Sequence, residues 1–280
     1  MPKFYPGKPV RHLVTYLSKS REDISPQDWL DRRKALSRFS DVEDPEISIV
    51  MIARNEERFL FASLASIGEQ LTERKVELIW VNNGSTDGSR DIAERLGVKV
   101  VDEPKPGWAE ARQAGLEAAK GKIILSADGD NIYNPHWLEA LARHFDDPKV
   151  VMACSQYCLY TYDNKYGLDL QIYQNLRWIN SKMRHSKRPH LNCLGGSLAY
   201  RAEVAREVGG FTMGVGRGED GDLAFRMEKK GQIIFDDSEE AYAHSSLRNV
   251  LIEESLMKTL TQRLSVHLKR IPEYFSKQNK

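Results

Sequence analysis

Residues 122–135 read KIILSADGDNIYNP, an apolar run that ends abruptly in charged and polar side chains. The run at 122–127 has the length and composition of a buried strand, and Asp128, Asp130 and Asn131 follow it directly. Carboxylates resist burial unless they are paired or bound to a metal ion. The stretch therefore predicts a strand whose end either faces solvent or holds a cation.

Strand patterns and helix patterns alternate on both sides of this stretch. The strand patterns are ISIVMIA (47–53), VELIWV (76–81), VKVV (98–101), KIILSA (122–127) and KVVMAC (149–154). Because short connections join them through helix patterns, the sequence predicts an α/β fold with a mostly parallel central sheet and flanking helices. In such sheets ligands gather at the carboxyl ends of the strands, where the polar residues 54–56, 82–84 and 128–130 stand.

Three of the predicted helices begin with capping signals. Ser25 and Pro26 are favourable N-cap and first-turn residues, Asn55 precedes the helix after the first strand, and Asn134 with Pro135 precedes a later one. The first of these helices has an amphipathic spacing at Trp29, Leu30, Leu36 and Phe39. This spacing predicts an N-terminal helix that packs onto the main domain.

Composition excludes several classes of protein. The 280 residues carry a net charge of +1, so no overall field draws the chain to nucleic acid or to an anionic membrane. The three cysteines are odd in number and contain no CxxC pair, which argues against a disulfide framework or a thiolate metal site. No apolar run approaches the ~20 residues of a membrane span, and the first residues lack a signal-peptide core. We expect a cytoplasmic protein without an integral membrane segment.

The triplet Asp128-Gly129-Asp130 suits a hard cation. In an extended backbone, residues i and i+2 point the same way, so both carboxylates could serve one ion or divide ion and sugar contacts. Oxygen ligands favour Mg²⁺ or Mn²⁺ over Zn²⁺. Such triplets also occur in ordinary turns, so the triplet alone is weak support for a metal site.

Five motifs together resemble one family. SIVMIARNEE, VNNGSTDGS, GWAEARQAG, LSADGDN and GEDGDLAFRM occur in the order and spacing of inverting GT-A glycosyltransferases of the family 2 type. The resemblance covers residues 46–245 and implies the GT-A fold, which is a Rossmann-like α/β sheet, with a nucleotide-binding half at 46–153 and an acceptor-binding half at 154–245. Residues 1–45 and 246–280 are then helical extensions.

The resemblance also implies a donor site for a nucleotide-diphosphate sugar. Asn83 stands where the family usually has an aspartate that reads the base; an asparagine can both donate and accept hydrogen bonds, which leaves the base open, with a UDP-sugar as the first expectation. Arg112 matches an arginine that approaches the diphosphate. The implied donor-binding residues are Ala53, Asn55, Glu56, Asn83, Arg112 and Asp128.

Catalytic and metal roles follow by the same resemblance. Asp130 matches the direct ligand of Mn²⁺ or Mg²⁺, and His244 matches a further ligand. Glu219 and Asp220 match the acidic pair of the acceptor site, with Asp220 as the catalytic base. In an inverting transfer a carboxylate deprotonates the attacking hydroxyl, while a cation neutralises the leaving diphosphate. Residues expected to bind the acceptor are Gly195, Gly196, Trp178 and Arg184.

Ordinary structural roles compete with several of these assignments. A histidine such as His244 is more often a satisfied or surface residue, and Trp178 could simply pack in the core. The basic run 177–188 is usually a solvated face. However, the six Lys/Arg between Leu170 and Ala202 are accompanied by no acid, which leaves room for an anionic acceptor.

Three functions are compatible with these patterns. The first is transfer of a sugar to a saccharide or to a lipid-linked acceptor, reached through basic amphipathic helices at 246–280 on the membrane periphery. The second is the same chemistry on hydroxymethylated bases of DNA, with phosphates bound by the basic run. The third is a non-catalytic protein that binds nucleotide-sugars. Oligomeric state does not follow from the sequence.

Overall fold

The computed structural model describes residues 8–160, 167–214 and 218–246. The strands are β1 (Ile47–Ala53), β2 (Val76–Asn82), β3 (Lys99–Asp102), β4 (Ile123–Asp128), β5 (Asn131–Tyr133), β6 (Val150–Ser155), β7 (Tyr157–Tyr160), β8 (Leu198–Arg201), β9 (Gln232–Asp236) and β10 (Ala243–Ser246). The α-helices are α1 (Lys8–Val14), α2 (Pro26–Leu36), α3 (Glu57–Gly68), α4 (Ser89–Arg95), α5 (Trp108–Ala118), α6 (Trp137–Ala142), α7 (Leu168–His185), α8 (Ala202–Glu207) and α9 (Glu219–Met227).

A seven-stranded sheet forms the centre, in the order β3-β2-β1-β4-β8-β6-β9. The pairs β1–β2, β1–β4, β2–β3 and β6–β9 are parallel, whereas β8 runs antiparallel to β4 and β6. The predicted α/β class and the mostly parallel sheet with flanking helices are therefore confirmed. All five predicted strand patterns form strands of this sheet.

Both faces of the sheet are buried, which explains the continuous apolar runs. Along β1 the side chains of Ile49 and Met51 enter the core on one face, and those of Val50 and Ile52 enter the core on the other. Successive side chains of a strand point to opposite faces, so a strand covered on both sides must be apolar at every position.

The N-terminal segment packs onto the domain through α2. The hydroxyl of Ser25 accepts a hydrogen bond from the Asp28 N–H at 3.1 Å, and Pro26 is the first helical residue, as expected. Trp29 and Leu36 are buried, but Leu30 is 61 % exposed, so the prediction that it joins the apolar face was wrong. Leu30 is adjacent to Trp29 along the helix, and only one of two such neighbours can face the core squarely.

Two other helix starts differ from expectation. Asn55 does not cap α3; instead, the Asp87 carboxylate accepts the N–H of Glu57 at 3.1 Å. Regular helix in α6 begins at Trp137, two residues later than predicted, although the Asn134 side chain still accepts the His136 N–H at 3.0 Å. Loop contacts across the sheet edge decide the first case, and a turn before the helix decides the second.

A small second sheet, in the order β5-β10-β7, was not predicted. β10 lies between β5, to which it is antiparallel, and β7, to which it is parallel, and His244 pairs with Ile132 and Cys158. This sheet brings the end of the described chain beside the segment that follows the DGD triplet.

Among the described residues, none of the helices combines the length and the apolar character needed to span a bilayer. The helical extension predicted at 246–280 lies, beyond Ser246, outside the described residues.

Candidate active site

The polar segments predicted to meet at one edge of the sheet do so. Asp128, the last residue of β4, is in register with Ile52 near the end of β1, and Ala53 is in register with Asn82 at the end of β2. The three loops that follow these strands therefore form one contiguous edge, as expected for the ligand-binding side of a parallel sheet.

Arg112 of α5 connects the two acidic motifs at this edge. Its NH2 donates to Asp128 Oδ1 at 2.9 Å, and its NH1 donates to Ser126 Oγ at 2.6 Å. Its Nε lies 2.9 Å from Asp220 Oδ1 and 3.6 Å from Glu219 Oε1. We call this group of four residues the Arg112 cluster: Arg112, Asp128, Glu219 and Asp220. It joins two acidic motifs that are about 90 residues apart in the sequence.

One buried oxygen of the Asp220 carboxylate receives no hydrogen bond. Its Oδ2 accepts the Gly195 N–H at 2.8 Å. Its Oδ1 is at ion-pair distance from Arg112 Nε but out of line for a hydrogen bond, and within the described part of the chain it has no hydrogen-bond partner. A buried acceptor oxygen without a donor suits an incoming hydroxyl.

In this cluster, burial and the ion pairs between Arg112 and the carboxylates shift the pKa values in opposite directions. Burial raises the pKa of Asp220 to about 7, with Glu219 and Asp128 adding to the rise and Arg112 opposing it. Burial likewise raises the pKa of Asp128 against the effect of Arg112. Burial would lower the pKa of Arg112, but the three carboxylates raise it overall, so the guanidinium stays charged. Asp220 therefore titrates near neutral pH, the range that suits a general base.

Gly195 and Gly196 sit where the backbone touches these acids. A side chain at Gly195 would clash with the Arg112 guanidinium, and one at Gly196 would clash with Asp128. Both glycines were predicted on the acceptor side because they permit close backbone approach. In the structure, the backbone at both glycines comes close to side chains of the Arg112 cluster.

Two tyrosines complete the site and were missed by sequence reasoning. The Tyr133 hydroxyl accepts the Asp128 N–H at 2.8 Å and donates to Gly196 O at 3.0 Å, and the Tyr157 hydroxyl accepts the Gly196 N–H at 2.9 Å. Burial raises the pKa of both phenols, which keeps them protonated. Their strands β5 and β7 are too short to produce a periodic pattern, so only their nearness to the DGD triplet could have indicated them.

Neutral side chains organise the loops that follow β1 and β2. Asn55, at φ 55°, accepts the Thr86 N–H through Oδ1 at 2.7 Å, which ties the loop after β1 to the loop after β2. Ala53 O accepts the Asn83 N–H at 3.0 Å, and the Glu56 N–H donates to Ser89 Oγ at 2.9 Å. Ala53, Asn55, Glu56 and Asn83 therefore share one wall of the edge.

Both polar atoms of the Asn83 side chain make hydrogen bonds. Its Nδ2 donates to Glu103 O at 3.2 Å and to Lys105 O at 2.6 Å, while its Oδ1 accepts the Gly107 N–H at 2.9 Å. These three bonds hold the 103–107 segment that leads into α5 and thereby fix the approach of Arg112.

Asp130 and His244 supply the remaining candidate ligands. Asp130 is half-buried just beyond Asp128. His244 is buried, and its Nδ1 lacks a hydrogen-bond partner among the described residues. Burial lowers the pKa of His244 to about 4, so the ring is neutral, as a metal ligand must be. The described residues contain no group of three or more His, Cys, Asp and Glu side chains arranged for a metal.

Trp178 and Arg184 lie on α7. Trp178 packs against Cys158 and Tyr242, and the Lys182 Nζ is 5.6 Å from its ring centroid. The Arg184 NH2 donates to Ser181 Oγ at 3.4 Å on the same helix. These contacts show a packing role for Trp178; an acceptor role for either residue stays a prediction.

The chain is similar in sequence to known glycosyltransferases. The sequence profile of glycosyl transferase family 2 matches residues 48–209. The glycosyltransferase GlyG of Streptococcus pneumoniae is 31% identical over 127 residues, covering 43% of this chain and 41% of GlyG. The glycosyltransferase AglE of Haloferax volcanii is 27% identical over 175 residues, covering 60% of this chain and 56% of AglE. The matches to the first curated relatives span only about a third to two fifths of their length.

Solved structures share the fold. The mannosyltransferase PcManGT from Pyrobaculum calidifontis, in complex with GDP-Man and Mn²⁺, superposes with a TM-score of 0.58 at 19% identity, covering 94% of this chain and 76% of that one. S. aureus TarS 1-349 in complex with UDP gives a TM-score of 0.58 at 18% identity, covering 84% and 73%. At these identities the likeness concerns the fold alone.

Proposed function

This chain belongs to glycosyl transferase family 2, and we propose that it transfers a sugar, with inversion, from a nucleotide-diphosphate sugar to an acceptor hydroxyl. The observation that carries the proposal is the Arg112 cluster. It joins the strand-end carboxylate Asp128, on the side expected for the donor, to the buried Asp220 on the side expected for the acceptor. The halves 46–153 and 154–245 then supply donor and acceptor residues respectively.

Asp220 is the proposed general base. Its Oδ1 accepts the acceptor's hydroxyl proton as the hydroxyl oxygen attacks the anomeric carbon from the face opposite the diphosphate. The Gly195 N–H and Arg112 hold the carboxylate in place while leaving that oxygen free of hydrogen bonds. Glu219, which lies against the same guanidinium, positions Arg112 and adds negative charge beside the base.

Arg112 links donor and acceptor chemistry. Its charge balances Asp128 and Asp220 before reaction, and it stands beside the strand end where a diphosphate would gain negative charge as the glycosyl bond breaks. A preorganised cation in a buried site stabilises such developing charge strongly. Arg112 is therefore proposed to stabilise the leaving group as well as the base.

Mn²⁺ or Mg²⁺ would be held by Asp130 and His244. The neutral His244 ring, with its unpartnered Nδ1, fits this role, and so does the half-buried carboxylate. The metal would supply positive charge at the diphosphate. With two protein ligands, the ion is expected to bind together with the nucleotide rather than alone.

The donor base is proposed to be uracil first and guanine second. The fold relatives include complexes with UDP and with GDP-Man. Because the amide of Asn83 is engaged by the 103–107 segment, base selection is expected to rest on other groups of that wall, including Glu56. The acceptor is a saccharide or a lipid-linked sugar. The free thiols of Cys154, Cys158 and Cys193 suit a reducing compartment such as the cytoplasm.

A thermal-shift panel of UDP-, GDP- and other nucleotide-sugars, with and without Mn²⁺, tests the donor assignment. We expect one nucleotide to raise the melting temperature, more strongly with Mn²⁺, and Asp130→Ala to remove the metal dependence while keeping the fold. No shift with any nucleotide would refute the proposal. A shift in the absence of any turnover would instead support a non-catalytic binding protein.

A further inference from the structure

The outer face of α7 carries an apolar stripe. Its members are spaced four, four, three and four residues apart, which places them on one face of a helix. Their exposed fractions are 73% for Leu168, 50% for Ile172, 39% for Leu176, 44% for Ile179 and 37% for Met183. Isolated exposed apolar residues are common, but five in line on one helix are not.

The opposite face of α7 already attaches the helix to the domain. Leu170, Tyr173 and Ser181 are buried, and the Gln174 Oε1 accepts the Leu159 N–H at 2.5 Å. Trp178 packs beside Cys158 on the same side. The stripe lies on the other side of α7 from these contacts, and within the described ranges its five side chains are still 37% to 73% exposed.

The segment that carries the stripe is rich in basic residues, and two of them, Lys182 and Lys187, are exposed. Residues 168–188 contain five Lys/Arg and one acid, Asp169, and the next acid along the chain is Glu203. Lys182 flanks the stripe, with its Nζ 2.6 Å from Asp237, and the exposed Lys187 follows the end of the helix. Aliphatic side chains bordered by basic ones are typical of helices that lie in the plane of an anionic lipid surface.

We propose that the outer face of α7 docks on an anionic phospholipid bilayer. The aliphatic stripe enters the boundary between headgroups and acyl chains, and the exposed Lys182 and Lys187 meet lipid phosphates. A second copy of this chain fits less well, because a two-fold contact would bring the same basic residues of both copies together.

Docking at this face would also bring the acceptor side to the membrane. α7 leads through Pro189–Asn192 to Gly195, which bonds Asp220, and Leu191 and Leu194 on this path are each 38% exposed. Phe225 of α9, 45% exposed, lies with its ring 5.1 Å from that of His190. If Asp220 is the base, as proposed above, the favoured acceptor is a sugar carried on a lipid.

Co-sedimentation of the full chain with vesicles tests the docking face. We expect binding to vesicles that contain phosphatidylglycerol and little binding to pure phosphatidylcholine. The double variant Leu176→Asp with Ile179→Asp should reduce the bound fraction about tenfold without lowering the melting temperature. The matched control is Leu30→Asp with Leu71→Asp, at exposed leucines elsewhere on the surface (61% and 56%), which should bind like the wild type.

A second variant tests the docking proposal if the double variant does not fold. Lys187→Glu reverses a charge at an exposed position and should weaken binding to anionic vesicles. The proposal is overturned if the wild type does not bind, if the control loses binding equally, or if the stripe variant only dissociates a dimer in analytical ultracentrifugation. Nucleotide-sugar thermal shifts measured without vesicles report on the proposed function separately, because the stripe variant should leave them unchanged.

Discussion

The loops that follow β1 and β2 lie at the same edge of the sheet as the Arg112 cluster but are held in a different way. Asn55 and Asn83 are neutral side chains that bond backbone groups of nearby loops. The Arg112 cluster instead holds three carboxylates around one buried guanidinium. Neutral amides fix loop shape at modest cost, whereas buried charges depend on every partner being present. The neutral amides of the first region fix the positions of loops, whereas the second region holds buried charges close together.

Removing the central cation should break the second region most severely. Arg112→Met keeps the volume of the side chain but leaves Asp128, Glu219 and Asp220 without a counter-charge. We expect the free energy of unfolding to fall by about 3–5 kcal/mol, as for other broken buried ion pairs. Urea denaturation followed by circular dichroism measures it. Arg90→Met, at an exposed pair with Asp102, is the control and should change little; equal losses in both variants would contradict the distinction between the two regions.

Loss of the proposed base should affect turnover rather than stability. Asp220→Asn preserves the shape of the side chain, so donor binding by thermal shift should persist while transfer falls about 10²–10⁴-fold. Asp222→Asn, two residues later in α9, is the matched control, because Asp222 bonds Thr212 and Arg226 instead. A comparable loss of transfer in the control would show that the acidic character of the helix start matters, not Asp220 itself.

The wild-type pH profile sharpens the same assignment. The pKa of Asp220 is raised to about 7, so the carboxylate is protonated below that pH and becomes a competent base above it. The rate of transfer at saturating donor should therefore rise through neutral pH and level off above it. A rate that is flat from pH 5 to pH 8 would remove Asp220 from the titrating step.

The neutral region should respond less strongly to a change of its own. Asn83→Asp replaces the Nδ2 donor to Glu103 O and Lys105 O with an oxygen that repels both carbonyls. We expect a loss of about 1–3 kcal/mol in unfolding free energy. The control is Asn134→Asp, which keeps the oxygen that accepts the His136 N–H. It should leave the unfolding free energy unchanged. If Asn83→Asp is as stable as the wild type and binds UDP more tightly, Asn83 reads the base and does not serve as a loop clamp.

The sequence predicted those parts of the fold that depend on local patterns. Strand patterns such as ISIVMIA and the Ser25-Pro26 helix start are local, and they appear in the structure where expected. The burial of Trp29 and the exposure of Leu30 depend on which way α2 is turned against the domain, which no local pattern records.

The site itself was only partly predictable. The carboxylates and glycines of the edge were identified by their motifs, but their mutual contacts cross long stretches of chain. Tyr133 and Tyr157 come from strands of three and four residues, too short for a periodic signal. The pairing of Asn83 with the 103–107 segment is a tertiary contact as well, so its engagement could not be foreseen from NNGS.

The placement of β10 has a consequence for the order of synthesis. This strand, the last of the described chain, is inserted between β5 and β7, whose tyrosines hold Gly196 against Asp128. The small sheet therefore cannot close until residue 246 has emerged from the ribosome. A nascent chain that already contains the complete DGD and GED motifs therefore still lacks the small sheet that supports them.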